Sequence, residues 1–147
     1  MRKLSGILLI DDDETNNFLN ERILKKLDIA ENIRVFQHGK QALDYLYIVA
    51  EGQHESNAGY FRPELIFLDI NMPVMDGFEF MEQFQKIDPE FRDGIKVVIL
   101  TTSAHERDTE MVKKFQIAEY LNKPLTMTKI MEIIEKHFVT PEPGTGA

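Results

Sequence analysis

The chain contains no cysteine and no tryptophan. Without thiols it forms neither disulfides nor thiolate metal centres. Without tryptophan it lacks the usual intrinsic-fluorescence readout. Its four histidines, His38, His54, His105 and His137, show no ligand spacing of the HExxH kind and read as surface or packing residues. No apolar run approaches the ~20 residues of a membrane-spanning helix, so no membrane insertion is expected. Met1-Arg2-Lys3 followed by Ile7-Leu8-Leu9-Ile10 imitates a secretion signal only briefly, because the apolar run ends at once in Asp11-Asp12-Asp13. The expected location is the cytoplasm. Positive charge is also scarce: 17 Lys and Arg stand against 25 Asp and Glu, a formal net charge of -8. That balance argues against nucleic acid as a direct partner, because phosphate contacts need a basic face.

What is present fits one globular domain: 147 residues, 43% hydrophobic and 29% charged, with no internal repeat. Its most informative stretch is Leu65-Ile66-Phe67-Leu68-Asp69-Ile70-Asn71-Met72-Pro73-Val74-Met75-Asp76-Gly77. A short apolar run bounded by turn residues reads as a strand buried on both faces. Pro73 cannot donate to a sheet ladder, so the strand stops before it. Asp69 therefore stands at the carboxyl edge of a central strand, where parallel α/β sheets place their ligands.

The remaining chain alternates strands and helices. Ile7–Ile10 is a strand. The helix after it is capped by Asp13 or Thr15 and has Phe18, Leu19, Ile23, Leu24 and Leu27 at inward spacing. Ile33–Phe36 is a second strand, and Gly39 opens a helix with Ala42, Leu43, Leu46 and Val49 on one face. Residues 51–62 form an unpatterned loop, long for a compact α/β domain. After the Asp69 strand comes a helix with Phe78, Met81, Phe84 and Ile87, stopped by Asp88-Pro89. Lys96–Leu100 is a fourth strand ending in Thr101-Thr102-Ser103. Asp108–Gln116 fits a helix with Met111, Val112 and Phe115 inward. Tyr120-Leu121 is a fifth strand closed by Lys123-Pro124, and Thr126 caps a last helix carrying Ile130, Ile133, Ile134 and Phe138. Residues 139–147 have no apolar pattern and are expected to be a disordered tail. The pattern predicts a doubly wound, five-stranded parallel sheet with helices on both faces. A common order is 2-1-3-4-5, with its crevice between strands 1 and 3. That order brings Asp11, Asp12 and Asp69 together, with Thr101 and Lys123 on the same edge.

Three converging carboxylates repel. Each pair at ~5 Å costs about 3 kcal/mol at an effective dielectric of ~20. Raised pKa values or cations must offset this. An all-oxygen pocket suits Mg²⁺ or Mn²⁺ rather than zinc, and Lys123 supplies one fixed positive charge. Asp13 is read instead as the helix cap. A carboxylate beside a divalent cation can attack a phosphoryl group and form an acyl phosphate. Lys123 and the Thr101 hydroxyl would hold the remaining oxygens.

With these motifs the chain resembles a bacterial response-regulator receiver domain of the stand-alone, CheY-like type, from about Leu4 to Phe138. The resemblance rests on Ile10-Asp11-Asp12, Leu68-Asp69-Ile70-Asn71-Met72-Pro73 with Asp76-Gly77, Leu100-Thr101-Thr102-Ser103 and Tyr120-Leu121-Asn122-Lys123-Pro124. It implies that Asp69 is the phosphoacceptor. Asp12 is then the direct metal ligand, Asp11 holds the metal through water, and Asn71 offers its backbone carbonyl. Thr101 and Tyr120 are the switch pair, Lys123 pairs with the phosphoryl group, and Pro124 follows a cis bond. The implied cofactor is Mg²⁺, with Mn²⁺ as substitute. The implied phosphodonor is a histidine kinase or histidine phosphotransfer protein. A downstream protein would read the face of the fourth helix, fifth strand and fifth helix. Such a domain gains and loses its own phosphoryl group and does not turn over a separate substrate. No output-domain pattern follows Phe138, so direct transcriptional control is not expected. The chain departs from the family at Ile117-Ala118-Glu119, where a Gly-Ala pair is common, and in its long 51–62 loop. Two rival readings are a receiver-like module that binds without phosphorylation and a Mg²⁺-dependent phosphatase acting through an aspartyl phosphate. Phosphatases of the haloacid-dehalogenase type carry a second acid two residues after the nucleophile, where Asn71 stands here.

Overall fold

The computed structural model describes residues 3–52, 59–102 and 114–138. The elements are β1 (Ile7–Ile10), α1 (Glu14–Leu27), β2 (Ile33–Phe36), α2 (Gly39–Glu51), β3 (Leu65–Asp69), α3 (Gly77–Phe84), α4 (Pro89–Arg92), β4 (Lys96–Thr101), β5 (Glu119–Asn122) and α5 (Met127–His137). All five strands are parallel, in the expected order β2-β1-β3-β4-β5.

Every residue of β1 and β3 is buried, as continuous apolar runs in a two-faced sheet require. Side-chain alternation divides the core in two. Leu8, Ile10, Ile66, Leu68, Val97 and Ile99 pack under α2 and α3. Ile7, Leu9, Leu65, Phe67, Val98 and Leu100 pack against Leu24 of α1 and Ile130, Ile133 and Ile134 of α5. The register then fixes the rim. Ile10 lies opposite Leu68, Asp69 opposite Leu100 and Thr101 opposite Asn122. Asp11, Asp69, Thr101 and Lys123 therefore all leave the sheet at one edge.

Helix starts follow the capping residues. Asp13 accepts from the Thr15 and Asn16 amides at 2.9 and 3.1 Å, Asp76 and Glu79 form a reciprocal capping box, and Thr126 accepts from the Lys129 amide at 3.1 Å. The cap at Asp13 sets a phase for α1 that differs from the apolar reading. The inward residues are Asn17, Asn20 and Leu24, while Phe18 and Leu19 are 61% and 48% exposed. A helix with its first turn pinned at Asp13 cannot rotate to bury both. The third helix also ends earlier than expected, at Phe84. Ile87 is still buried, but in a turn, and Asp88 caps the separate single turn of α4 through the Glu90 amide.

The expected helix over Asp108–Gln116 lies outside the described residues as far as Lys113, as do Ser103, His54, His105 and the tail from 139. The return leg of the long loop is described and is fastened firmly. The Phe61 amide donates to the Tyr45 hydroxyl at 2.8 Å, and the Arg62 guanidinium donates to the Phe91 carbonyl. The Phe61 ring lies against Gly6, where a Cβ would fall 2.0 Å from a ring carbon, so any larger residue there would have to displace the ring.

Candidate functional site

Asp11 is one residue past the last paired position of β1. Its amide donates to the Phe36 carbonyl at 3.1 Å and its carbonyl accepts from Asn17 Nδ2 at 2.8 Å. One carboxylate oxygen accepts from the Asp13 amide at 2.9 Å, the other from Lys123 Nζ at 3.1 Å. Asp69 ends β3; its Oδ1 accepts from the Asn71 amide at 3.2 Å and lies 3.3 Å from the same Lys123 Nζ. Asp11 and Asp69 are each 3% exposed, whereas Asp12 is open to solvent. One carboxylate oxygen from each of Asp11, Asp12 and Asp69 falls within 4.8 Å of the others. Three oxygen donors with one solvent-facing side fit a hard divalent cation that keeps part of its water.

The electrostatics match the crowding. Burial, then the nearby Asp11 charge, pushes the Asp69 carboxyl from 3.8 up to about 6, against the opposing pull of Lys123 and the Asn71 amide. For Lys123, burial favours the neutral amine, but the Asp11 and Asp69 carboxylates outweigh it and its pKa is raised. The lysine ammonium thus bridges two buried acids.

Thr101 ends β4, is buried, and its carbonyl accepts from the Lys123 amide at 2.8 Å. Tyr120 lies on β5 opposite Ile99 and packs against the core under α2 and α3. Asn71 is exposed just beyond Asp69. The Lys123-Pro124 peptide is cis. Asp11, Asp12, Asp69, Asn71, Thr101 and Lys123 therefore come to one rim of the sheet, while Tyr120 sits two residues back from it on β5. No histidine joins the acid cluster among the described residues.

The loop between β3 and α3 holds Asp69 from the other side. The Gly77 amide donates to the Ile70 carbonyl at 2.9 Å, and a Cβ at Gly77 would sit 2.8 Å from Ile70 Cα. Glycine lets α3 begin directly against the end of β3. Between them the Met75 amide donates to the Pro73 carbonyl at 2.7 Å, a γ-turn with Val74 at its centre. Val74 has φ 68° and is 100% exposed. A β-branched residue in that region is strained, and no packing compensates it. Val74→Gly is expected to stabilise the protein by about 1 kcal/mol, after allowing for the greater freedom of glycine in the unfolded chain. Chemical denaturation checks this, and a loss of stability would show that the turn is relaxed.

Sequence reasoning missed Asn17, which reads as an ordinary polar helix residue. Its one signal is phase: counted from a cap at Asp13, it shares a face with Leu24. It also missed Val74, because nothing in a valine announces a positive φ.

A parallel sheet of order 2-1-3-4-5, with carboxylates from the first and third strand ends meeting a lysine beyond the fifth, defines a doubly wound α/β protein with its site at the topological switch point. The chain belongs to the response regulator receiver domain family, whose family model matches residues 7–135. Receiver domains are two-component signalling switches and in general not substrate-turnover enzymes. The chain is 32% identical over 130 residues to a protein of Methanothrix harundinacea named "Probable methanogenesis regulatory protein FilR2", spanning 88% of this chain and 79% of that one. A two-component response regulator from Cytophaga hutchinsonii superposes with a TM-score of 0.77 at 29% identity, covering 92% of this chain and 97% of that one. The receiver domain of sensor histidine kinase PA1611 from Pseudomonas aeruginosa, solved with magnesium coordinated in its active-site cleft, superposes with a TM-score of 0.69 at 23% identity, covering 90% and 96%. Among the described residues, no helix is long and apolar enough to cross a membrane.

Proposed function

We propose that this chain is a phosphorylation-controlled switch, with a receiver domain over residues 4–138 working in the cytoplasm, in which Asp69 accepts a phosphoryl group from a histidine kinase or histidine phosphotransfer protein. The observation that carries the reading is the buried Asp69 carboxylate within reach of both a lysine and two further acids. Asp12, Asp69 and the Asn71 carbonyl would hold Mg²⁺ directly, and Asp11 would hold it through water. Mn²⁺ suits the same donors. Bound there, the cation would offset the charge on the acids and on the incoming phosphoryl oxygens.

The chain's own residues supply the rest. An Asp69 oxygen attacks phosphorus, the bond from phosphorus to the donor's imidazole nitrogen breaks, and the electron pair leaves with the imidazole. Asp69 needs no base, because above pH 6 it is already ionised. Lys123 moves from bridging two carboxylates to pairing with phosphoryl oxygens, and the Thr101 hydroxyl donates to another. Shifting a two-state surface from mostly off to mostly on takes about 5.5 kcal/mol of differential stabilisation. A few charge-assisted hydrogen bonds are of that order. Tyr120 would follow Thr101, and the face of β5 and α5 would carry the signal to a downstream protein, together with the expected helix over 108–116, most of which lies outside the described residues.

A protein phosphodonor is supported by what borders the site. A groove of about 400 Å³ beside Lys123 is lined by the apolar Leu19, Ile23, Leu125 and Met127 and the basic Arg22 and Lys26.

The test is mass spectrometry after incubation with an acyl phosphate donor and Mg²⁺. One phosphoryl mass on the peptide containing Asp69, lost in Asp69→Ala, is the expected result. No adduct, with partner binding retained, would replace this reading with a phosphorylation-independent binding module. Steady turnover of a generic phosphate ester would replace it with a phosphatase.

A further inference from the structure

We propose that Asn17 is a positioning residue for the divalent-cation site, acting through the peptide that joins Asp11 to Asp12; the inference rests on the Mg²⁺ reading above. That peptide lies past the last paired residue of β1, so no strand ladder fixes its carbonyl. The Asp11 carbonyl is gripped instead by Asn17 Nδ2 at 2.8 Å, six residues on and one turn into α1. At the other end of the same residue, the Asp11 amide is tied to β2. The clamp therefore sets the plane from which Asp12 departs and steadies the backbone that carries the Asp11 carboxylate.

Packing does not account for an asparagine here. Asn17 is 3% exposed, and its Oδ1 is buried without a hydrogen-bond partner. A buried acceptor left unpaired is destabilising, and a leucine of similar size would avoid it. The surface of the same helix carries Phe18 and Leu19. The polar group is kept inside at a stability cost, and its side-chain hydrogen bond goes to the acid-bearing loop. Groups that orient ligands from behind are typically worth 10–100-fold in metal affinity.

The experiment compares Asn17→Leu with Asn20→Leu, a control at the similarly buried asparagine one turn further along α1. Mg²⁺ affinity is read by titration calorimetry and fold stability by thermal melting without metal. Hydrogen exchange of the Asp13 amide, which donates to Asp11 Oδ1, is followed in the same metal-free proteins. The expected result is a Mg²⁺ Kd raised about tenfold or more in Asn17→Leu alone, with faster Asp13 exchange. Asn20→Leu keeps the wild-type Kd whatever its melting temperature. Should Asn17→Leu fail to fold, Asn17→Ala replaces it in the same comparison. An unchanged Kd at position 17, or equal weakening by both substitutions, overturns the proposal while leaving the Mg²⁺ reading intact. Absence of Mg²⁺ binding in the wild type overturns both.

Discussion

Asp69→Asn is expected to fold more stably than the wild type at pH 7 in metal-free buffer, by about 2 kcal/mol, while taking up no phosphoryl group. The carboxyl is pushed from 3.8 to about 6 by burial and by Asp11. The folded state thus binds its proton more tightly than the unfolded chain does. Between those two values the native protein carries more protons, so wild-type stability falls as the pH rises through the window and stays low above it. A full shift of this size corresponds to about 3 kcal/mol. The amide escapes that penalty, which is already net of the Lys123 attraction, and an amide that fits the carboxylate's hydrogen bonds less well brings the gain down. Urea denaturation at pH 4, 5, 6 and 7 checks it. The gap between the two proteins should be small at pH 4 and open by pH 6. A gap independent of pH would show that ionisation of Asp69 is not its source.

The opposite sign is expected for Lys123→Met, the most damaging single change at the site. Lys123 Nζ lies 3.1 Å from Asp11 and 3.3 Å from Asp69, and each of those side chains is only 4% exposed. Removing one partner of a buried pair is far worse than exchanging both, because an uncompensated charge is left behind. Here two are left. Since the lysine retains some solvent contact, the cost is about 3 kcal/mol at pH 7 rather than the upper end of the usual range. For a chain of this size that lowers the melting temperature by roughly 6–12 °C. Two treatments should restore most of it. Millimolar Mg²⁺ supplies the missing positive charge, and lowering the pH below 6 lets Asp69 take up a proton. The double variant with Asp69→Asn should be more stable than Lys123→Met alone, since the two sites are coupled. A Lys123→Met protein whose melting temperature ignores Mg²⁺ would mean that the acid cluster does not bind the cation.

Much of this arrangement was legible in the sequence because it depends on strand ends. Runs such as Ile7–Ile10 and Leu65–Leu68 leave little doubt about what lies between helices. Once the order is 2-1-3-4-5, the residues just beyond each strand must share a rim. Asp13 was legible too, since a cap needs only local spacing. The face that α1 buries was not. Apolar periodicity assumes that large hydrophobic groups turn inward, and α1 instead shows Phe18 and Leu19 to solvent while burying Asn17 and Asn20. The end of α3 was missed for a related reason: Ile87 is buried by a turn and not by a helix. The sharing of one lysine by Asp11 and Asp69 was not legible, because spacing locates strand ends but not the reach of a side chain.

The fastening of the return leg on Tyr45 and Gly6 has a practical consequence. Gly52 and Gly59 are themselves held by α2 and by Tyr45, independently of the acid rim, and the return leg enters β3 at its start, while Asp69 stands at the strand's far end, ~13 Å away. A small fluorescent tag grafted between those glycines would be insulated from the chemistry it reports on. It would give this chain the optical handle its amino-acid composition denies it.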